Sequence, residues 1–220
     1  MSASNIPATV KIDFVSDVVC PWCVIGLRSL EEALQKLDGE VAANLHFQPF
    51  ELNPQMPPEG EDIAEHIRRK YGSTPEQFAR NQESIRASGE ALGFEFRMDK
   101  RSRTYNTFDA HRLLHWADRE GKGRAMKHAL FDAYFTEGEN VSDRDVLVQV
   151  AQKAGLPMSR ALEILDSKEF ADDVRKQEQF YINNGIQGVP AVIINDRHLI
   201  SGGQPPEVFE QAIRQIAGIA

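Results

Sequence analysis

The chain has 220 residues, of which 41% are hydrophobic and 26% charged. That balance excludes a disordered or fibrous protein and leaves room for one large domain, or a standard domain carrying a big insertion. Asp and Glu total 33 against 25 Lys and Arg, a formal net charge of −8, and an acidic surface counts against nucleic acid and anionic membranes as partners.

The first predicted element is a strand through Val10, Ile12 and Phe14, apolar at alternate positions. Cys20-Pro21-Trp22-Cys23 follows, then Leu27, Leu30, Leu34 and Leu37 at helical spacing, stopped by Gly39. A second strand is expected from Leu45 through Phe47 to about Phe50, which completes a strand–helix–strand unit. Pro54, Pro57, Pro58 and Gly60 make a linker, and the charge run Glu61 to Lys70 reads as a solvated helix face.

A helical block follows. Thr74-Pro75-Glu76-Gln77 has the form of a capping box with Pro in the first turn, opening a helix that ends near Gly93. Phe94-Glu95-Phe96 is the strongest strand signal inside the block. Further helices are expected over Thr107 to Glu120, Arg124 to Phe135, from a Ser142 cap to Gly155, around Ala161 to Leu165, and from Lys168 to Ile182. Late in the chain, Gly188-Val189-Pro190 precedes a buried strand, Ala191 to Ile194. Asn195-Asp196 can turn it into a hairpin strand at His198 to Ile200, and Pro205 opens a last helix.

The chemistry gathers at the only two cysteines, Cys20 and Cys23. With Pro21 in the first helical position, Cys20 falls at the N-cap, and the free amides of Trp22 and Cys23 are expected to point at its sulfur. Amides and helix dipole together favour a thiolate, lowering such cysteines from about 8.5 into the range of roughly 3.5–7.5. Only the thiolate attacks disulfides, so Cys20 is the expected nucleophile and Cys23 the buried resolving thiol. Residues three apart on a helix have Cβ atoms about 5–6 Å apart, against about 3.5–4.5 Å in a disulfide, so a bond here closes only by tightening the first turn. A structural zinc site needs four ligands, and no further Cys exists to join this pair.

These residues resemble the DsbA family of the thioredoxin superfamily, and its FrnE-like members in particular. Asp17 through Cys23, Asn106-Thr107, Ala110-His111-Arg112-Leu113, Gly188-Val189-Pro190 and Ser201-Gly202-Gly203-Gln204 carry the likeness, which spans nearly the whole chain. It implies an α/β thioredoxin-like fold with a large all-helical insertion. The thioredoxin-like domain would be residues 8–53 and 184–220, and the α-helical insertion 54–183. Cys20, Cys23 and a cis Pro190 would be catalytic. Pro21, Trp22 and Val189 would meet substrate, with Val189 pairing its backbone to an extended segment. Asn106 and His111 would line the cleft, or else cap a helix and make a buried hydrogen bond respectively. His111 and His115 share a helix face, with no third metal ligand at a suitable spacing.

The implied activity is a thiol–disulfide oxidoreductase of reductase or isomerase type. It needs no prosthetic group, only disulfide-bearing protein or small-molecule substrates and a recycling thiol such as glutathione or a thioredoxin-type reductant. Trp22 stands where the best-known DsbA proteins have His, which implies a less oxidising pair. The chain is also similar to 2-hydroxychromene-2-carboxylate isomerases and kappa-class glutathione transferases, which carry Ser in place of Cys20. The alternative is therefore a glutathione-dependent isomerase or transferase for a small aromatic substrate, with glutathione as co-substrate. The longest uncharged apolar stretch near the start, Val18 to Leu27, is ten residues, against about 20 for a membrane span. Met1 to Pro7 shows no signal-peptide core, so the cytoplasm is the expected address.

Overall fold

A computed structural model describes residues 7–57 and 59–219. Strand β1 (Ala8–Ser16) lies between β2 (Val41–Pro49), parallel to it, and β5 (Ala191–Ile194), antiparallel; β6 (His198–Ser201) adds to β5 as the far edge. Phe14 sits opposite Phe47 on one side and Val192 on the other, with the two rings 6.2 Å apart edge to face. Being central explains why β1 loses its alternation. From Ile12 on, every β1 residue is buried, Asp13 and Ser16 included. The β5–β6 turn is at Asn195-Asp196, with φ of 52° and 57°, the double positive φ that a tight hairpin requires.

Helix α1 (Pro21–Lys36) links β1 to β2, and α9 (Pro206–Ala217) packs along it and touches β1. The intervening chain is helical as expected. It comprises α2 (Ile63–Tyr71), α3 (Pro75–Ala91), α4 (Phe108–Arg119), α5 (Gly123–Phe131), a π turn (Asp132–Thr136), α6 (Arg144–Lys153), α7 (Met158–Leu165) and α8 (Ala171–Asn183). One hydrophobic cluster runs from Phe14 and Leu27 in the sheet layer through Leu113, Phe135 and Ile164 of the helical block, so both parts share a core. Helices α2 and α3 join it weakly: only Ile63 and His66 of the first, and Ile85 and Gly89 of the second, are buried.

Two sequence expectations change. Phe94 and Phe96 form no strand, because no strand edge lies alongside them. Their rings meet edge to face, 4.7 Å apart, with Phe96 over Gly89 and edge to face with Phe135. The extended pairing in this region is instead β3 (Glu61–Asp62) with β4 (Arg103–Thr104). Asp143, and not Ser142, caps α6, since its carboxylate accepts from both the Asp145 and Val146 amides at 2.9 and 3.1 Å. The Thr74–Gln77 capping box is present in both directions, at 3.2 and 2.9 Å.

Candidate active site

The turn from β1 into α1 sets the two sulfurs. Cys20 takes the N-cap with extended backbone angles, Pro21 occupies the first turn, and the Cys23 amide donates to the Cys20 carbonyl at 3.1 Å. Cys20 is 4% exposed and Cys23 is fully buried. Both are free thiols. The Cys20 side chain makes no capping hydrogen bond to the helix amides, contrary to the sequence expectation. Its S–H donates instead to the Val189 carbonyl at 3.7 Å, the contact of a weak donor with a backbone acceptor.

Val189 and Pro190 are joined by a cis peptide bond. They come from the far end of the chain yet meet α1 closely. A Cβ on Gly26 would lie 2.9 Å from the Pro190 ring, and one on Gly203 would lie 3.0 Å from the Trp22 carbonyl. Two glycines thus let the Pro190 segment and the β6–α9 connection approach the helix. The sequence signal was a glycine inside an otherwise apolar helical stretch, where it costs about 1 kcal/mol relative to Ala.

A cleft of about 170 Å³ opens over Cys20. Val19, Cys20, Pro21 and Val189 form one wall; Ile63, His66, Ile67 and Tyr71 of α2 with Phe78, Asn81, Gln82 and Ile85 of α3 form the other, and Leu52, Asn53, Arg101 and Thr104 complete it. Trp22 is 36% exposed and outside this lining. Arg101 brings a cation to the cleft, with its guanidinium 5.2 and 5.0 Å from the Tyr134 and Phe135 rings. His66 is held against Glu61 at 2.7 Å.

Asn106 and His111 do not reach the cleft wall. Asn106 accepts from the Phe108 amide at 3.0 Å and so shapes the start of α4. His111 is 1% exposed, with Nε2 3.4 Å from Asp17. His115 turns toward α8, 3.2 Å from Gln177, so the two histidines have separate partners. Among the described residues, no three His, Cys, Asp or Glu side chains converge as a metal site.

Burial alone raises the Asp17 carboxyl, but His111, the Leu52 amide at 2.7 Å and Thr107 outweigh it and hold it below the usual carboxylate range. Burial pushes the Cys23 thiol well above its ordinary value, and the neighbouring Cys20 adds to this. Lys127 of α5 is fully buried, and burial pushes it down to about 8 against the opposing fields of Cys23, Asp17 and Cys20. The sequence marks Asp17 only as part of the motif that carries the resemblance and gives no sign of Lys127, since single charged residues in otherwise ordinary segments carry no periodic sign of burial. What the arrangement offers chemically is one sulfur on the cleft wall, a second held protonated behind it, and a backbone carbonyl facing the first.

The description "DSBA-like thioredoxin domain" matches residues 11–214. The Bacillus subtilis (strain 168) protein YwbO is 32% identical over 206 residues, covering 93% of this chain and 96% of its own. A probable DsbA oxidoreductase from Streptomyces coelicolor superposes with a TM-score of 0.89 at 31% identity, over 95% of this chain and 90% of that one. The cytosolic disulfide reductase DsbM from Pseudomonas aeruginosa with GSH shares the fold, with a TM-score of 0.64 at 17% identity over 95% and 100% of the two chains.

Proposed function

This chain belongs to the DSBA-like thioredoxin domain family, and from that premise we propose that it is a thiol–disulfide oxidoreductase of reductase or isomerase type, working in the cytoplasm. The observation that carries the reading is the pairing of Cys20, at a helix start and facing the Val189 carbonyl at 3.7 Å, with a buried Cys23 one turn behind it. Burial holds Cys23 protonated, so Cys20 is the sulfur left to begin the exchange.

In the forward direction the Cys20 thiolate attacks one sulfur of a substrate disulfide. The substrate S–S bond breaks, and the departing sulfur takes a proton from solvent. Cys23 then loses its proton and attacks Cys20, which closes the protein disulfide and releases the second substrate thiol. Two electrons have passed from protein to substrate. Two molecules of a glutathione-class thiol restore the dithiol and leave as their disulfide. The cis Val189–Pro190 segment supplies backbone for an extended substrate to pair with, and the apolar side chains of α2 and α3 cover it. A glutathione-class recycler is supported by the similarity to DsbM, whose solved structure contains GSH. A glutathione-dependent isomerase would have no use for Cys23.

The test is disulfide turnover of insulin or a scrambled protein with glutathione as reductant. Cys20→Ser should abolish it. Cys23→Ser should accumulate mixed disulfides visible by mass. Full turnover by Cys20→Ser would refute the mechanism, and an isomerase or conjugation activity that survives loss of Cys23 would favour the glutathione-dependent reading.

A further inference from the structure

The proposed exchange uses two sulfurs and leaves one buried cation without a task. Lys127 is 0% exposed, and its Nζ has no hydrogen-bond partner among the described residues. Its Nζ lies over the Phe131 ring, 4.8 Å from the centroid. Lysine is almost never fully buried unless paired, because an uncompensated ammonium in the interior is strongly unfavourable.

The elements around α5 narrow the choice of partner. Those packed most extensively on it are α4, α6, the π turn and β2, and Glu31 of α1 is spent on Arg124 and His128 of α5 itself. Helix α6 turns Leu147, Val148, Val150 and Ala151 inward. Helix α4 contributes His111, already against Asp17 at 3.4 Å, and Arg112, whose guanidinium is engaged by the carbonyls of Ile164, Ser167 and Glu169. Asp132 of the π turn faces His128 and Arg28. The ionisable groups whose fields reach Lys127 are Cys23, then Asp17, then Cys20. Asp17 is already committed to the Leu52 amide and His111. Cys23 is fully buried and acquires a charge only during the exchange.

We propose that Lys127 is a positioning residue for the second half of the exchange, its ammonium group balancing the negative charge that Cys23 acquires as it attacks the mixed disulfide. The proposal rests on the thiol–disulfide reading above. In that step Cys23 gives up its proton and its sulfur bonds to the Cys20 sulfur. The Cys20–substrate bond breaks, its electron pair goes to the substrate sulfur, and that sulfur takes up a proton. One disulfide is made and one is lost, and Lys127 ends as it began. In the reverse direction the same cation eases the departure of Cys23.

A pH signature follows. Lys127 is pushed down to about 8 while Cys23 is pushed well up. Removing one proton from the pair leaves either amine with thiol or ammonium with thiolate, and only the second attacks. Its population follows the first ionisation of the pair and then levels off. Resolution should therefore rise to a midpoint near 8 and flatten.

The experiment is a single turnover of the full chain with a chromogenic aryl disulfide. One coloured thiol is released when Cys20 attacks and a second when Cys23 resolves. Lys127→Met should leave the first phase intact and slow the second about tenfold near pH 7.5, the effect of about one pK unit of coupling, with its midpoint moved upward. The variant should unfold at no lower denaturant concentration, since exchanging an unpaired buried charge for an apolar chain is neutral or favourable. A mere packing role predicts the reverse, with lower stability and an unchanged second phase, and that result would overturn the proposal. Should Lys127→Met fail to fold, the wild-type profile decides: a midpoint near pH 8 with levelling by about pH 9 supports the pair, and a second phase still climbing steeply beyond about pH 9 overturns it. A wild type with no first phase would sink the oxidoreductase reading and Lys127's role together, whereas an intact first phase with an indifferent second would sink Lys127's role alone.

Discussion

Replacing Gly26 with Ala sets helix propensity against a steric limit. Gly26 lies buried within α1, and its φ is not positive. The backbone therefore accepts Ala without strain, and the change should gain about 1 kcal/mol of helix propensity. The new Cβ would, however, stand 2.9 Å from the Pro190 Cγ and 3.4 Å from the Gly203 Cα. Carbon atoms pack best at about 3.5–4.0 Å, so the Pro190 ring must retreat by roughly 0.6 Å or more. Overpacking of this kind costs about 1–3 kcal/mol, leaving a net loss of about 0–2 kcal/mol. The functional loss should be larger in proportion, because Val189, which faces Cys20 at 3.7 Å, moves with the ring. A misplacement near 1 Å can cost on the order of a hundredfold in rate, so disulfide turnover should fall about tenfold. The assays are urea unfolding and glutathione-coupled turnover. A variant that is more stable than the parent and equally active would refute the account of why a glycine stands there.

Other predictions concern the supports of the site. Arg112→Leu should destabilise the chain by about 2–4 kcal/mol in chemical unfolding, because it removes a buried guanidinium from the Ile164, Ser167 and Glu169 carbonyls; a loss under 0.5 kcal/mol would show those carbonyls satisfied otherwise. Glu31 of α1 meets His128 at 2.8 Å and Arg124 at 2.6 Å on α5. Burial raises its carboxyl, but these partners prevail and hold it below the ordinary value. A depressed carboxylate stabilises the fold above its unfolded pKa of about 4.3, and that share is lost as pH falls through the folded value. Glu31→Gln should therefore be less stable than the parent near pH 7 by about 1 kcal/mol, with the gap closing toward pH 3; a gap that widens on acidification would contradict the assigned sign. Asp17→Asn should weaken the fold most at neutral pH for the same reason, since its folded carboxyl is also depressed, and thermal unfolding at neutral and acid pH checks this.

Much of the frame could be read from residue spacing. The strand at β1, the leucine spacing of α1 and the Asn195-Asp196 turn are local signals, and each element has its counterpart in the structure, although burial on both faces erases the alternation of β1. The cysteine turn was legible for the same reason: Pro21 and the two sulfurs lie within one helical turn. What spacing missed depends on distant partners. The direction of the Cys20 sulfur is decided by Val189, 169 positions away. The burial of Lys127 is decided by α4, α6 and β2 closing around α5. Phe94 and Phe96 alternate like a strand, yet no strand edge is alongside them and their rings pack edge to face instead. Asn106 and His111 were placed by resemblance, and neither reaches the cleft; a helix start and a carboxylate engage them.

The two sides of the cleft differ in what anchors them. Cys20 and Val189 hang from a turn and a strand end on the sheet, whereas the opposite side is α2 and α3, which bury only Ile63, His66, Ile85 and Gly89. Segments with few apolar contacts are the first to open locally. On this packing, a bulky guest would be admitted by loosening that outer pair, at a cost below global unfolding, while the sulfurs keep their places. Selectivity by size is then graded by an opening equilibrium and not by a fixed volume.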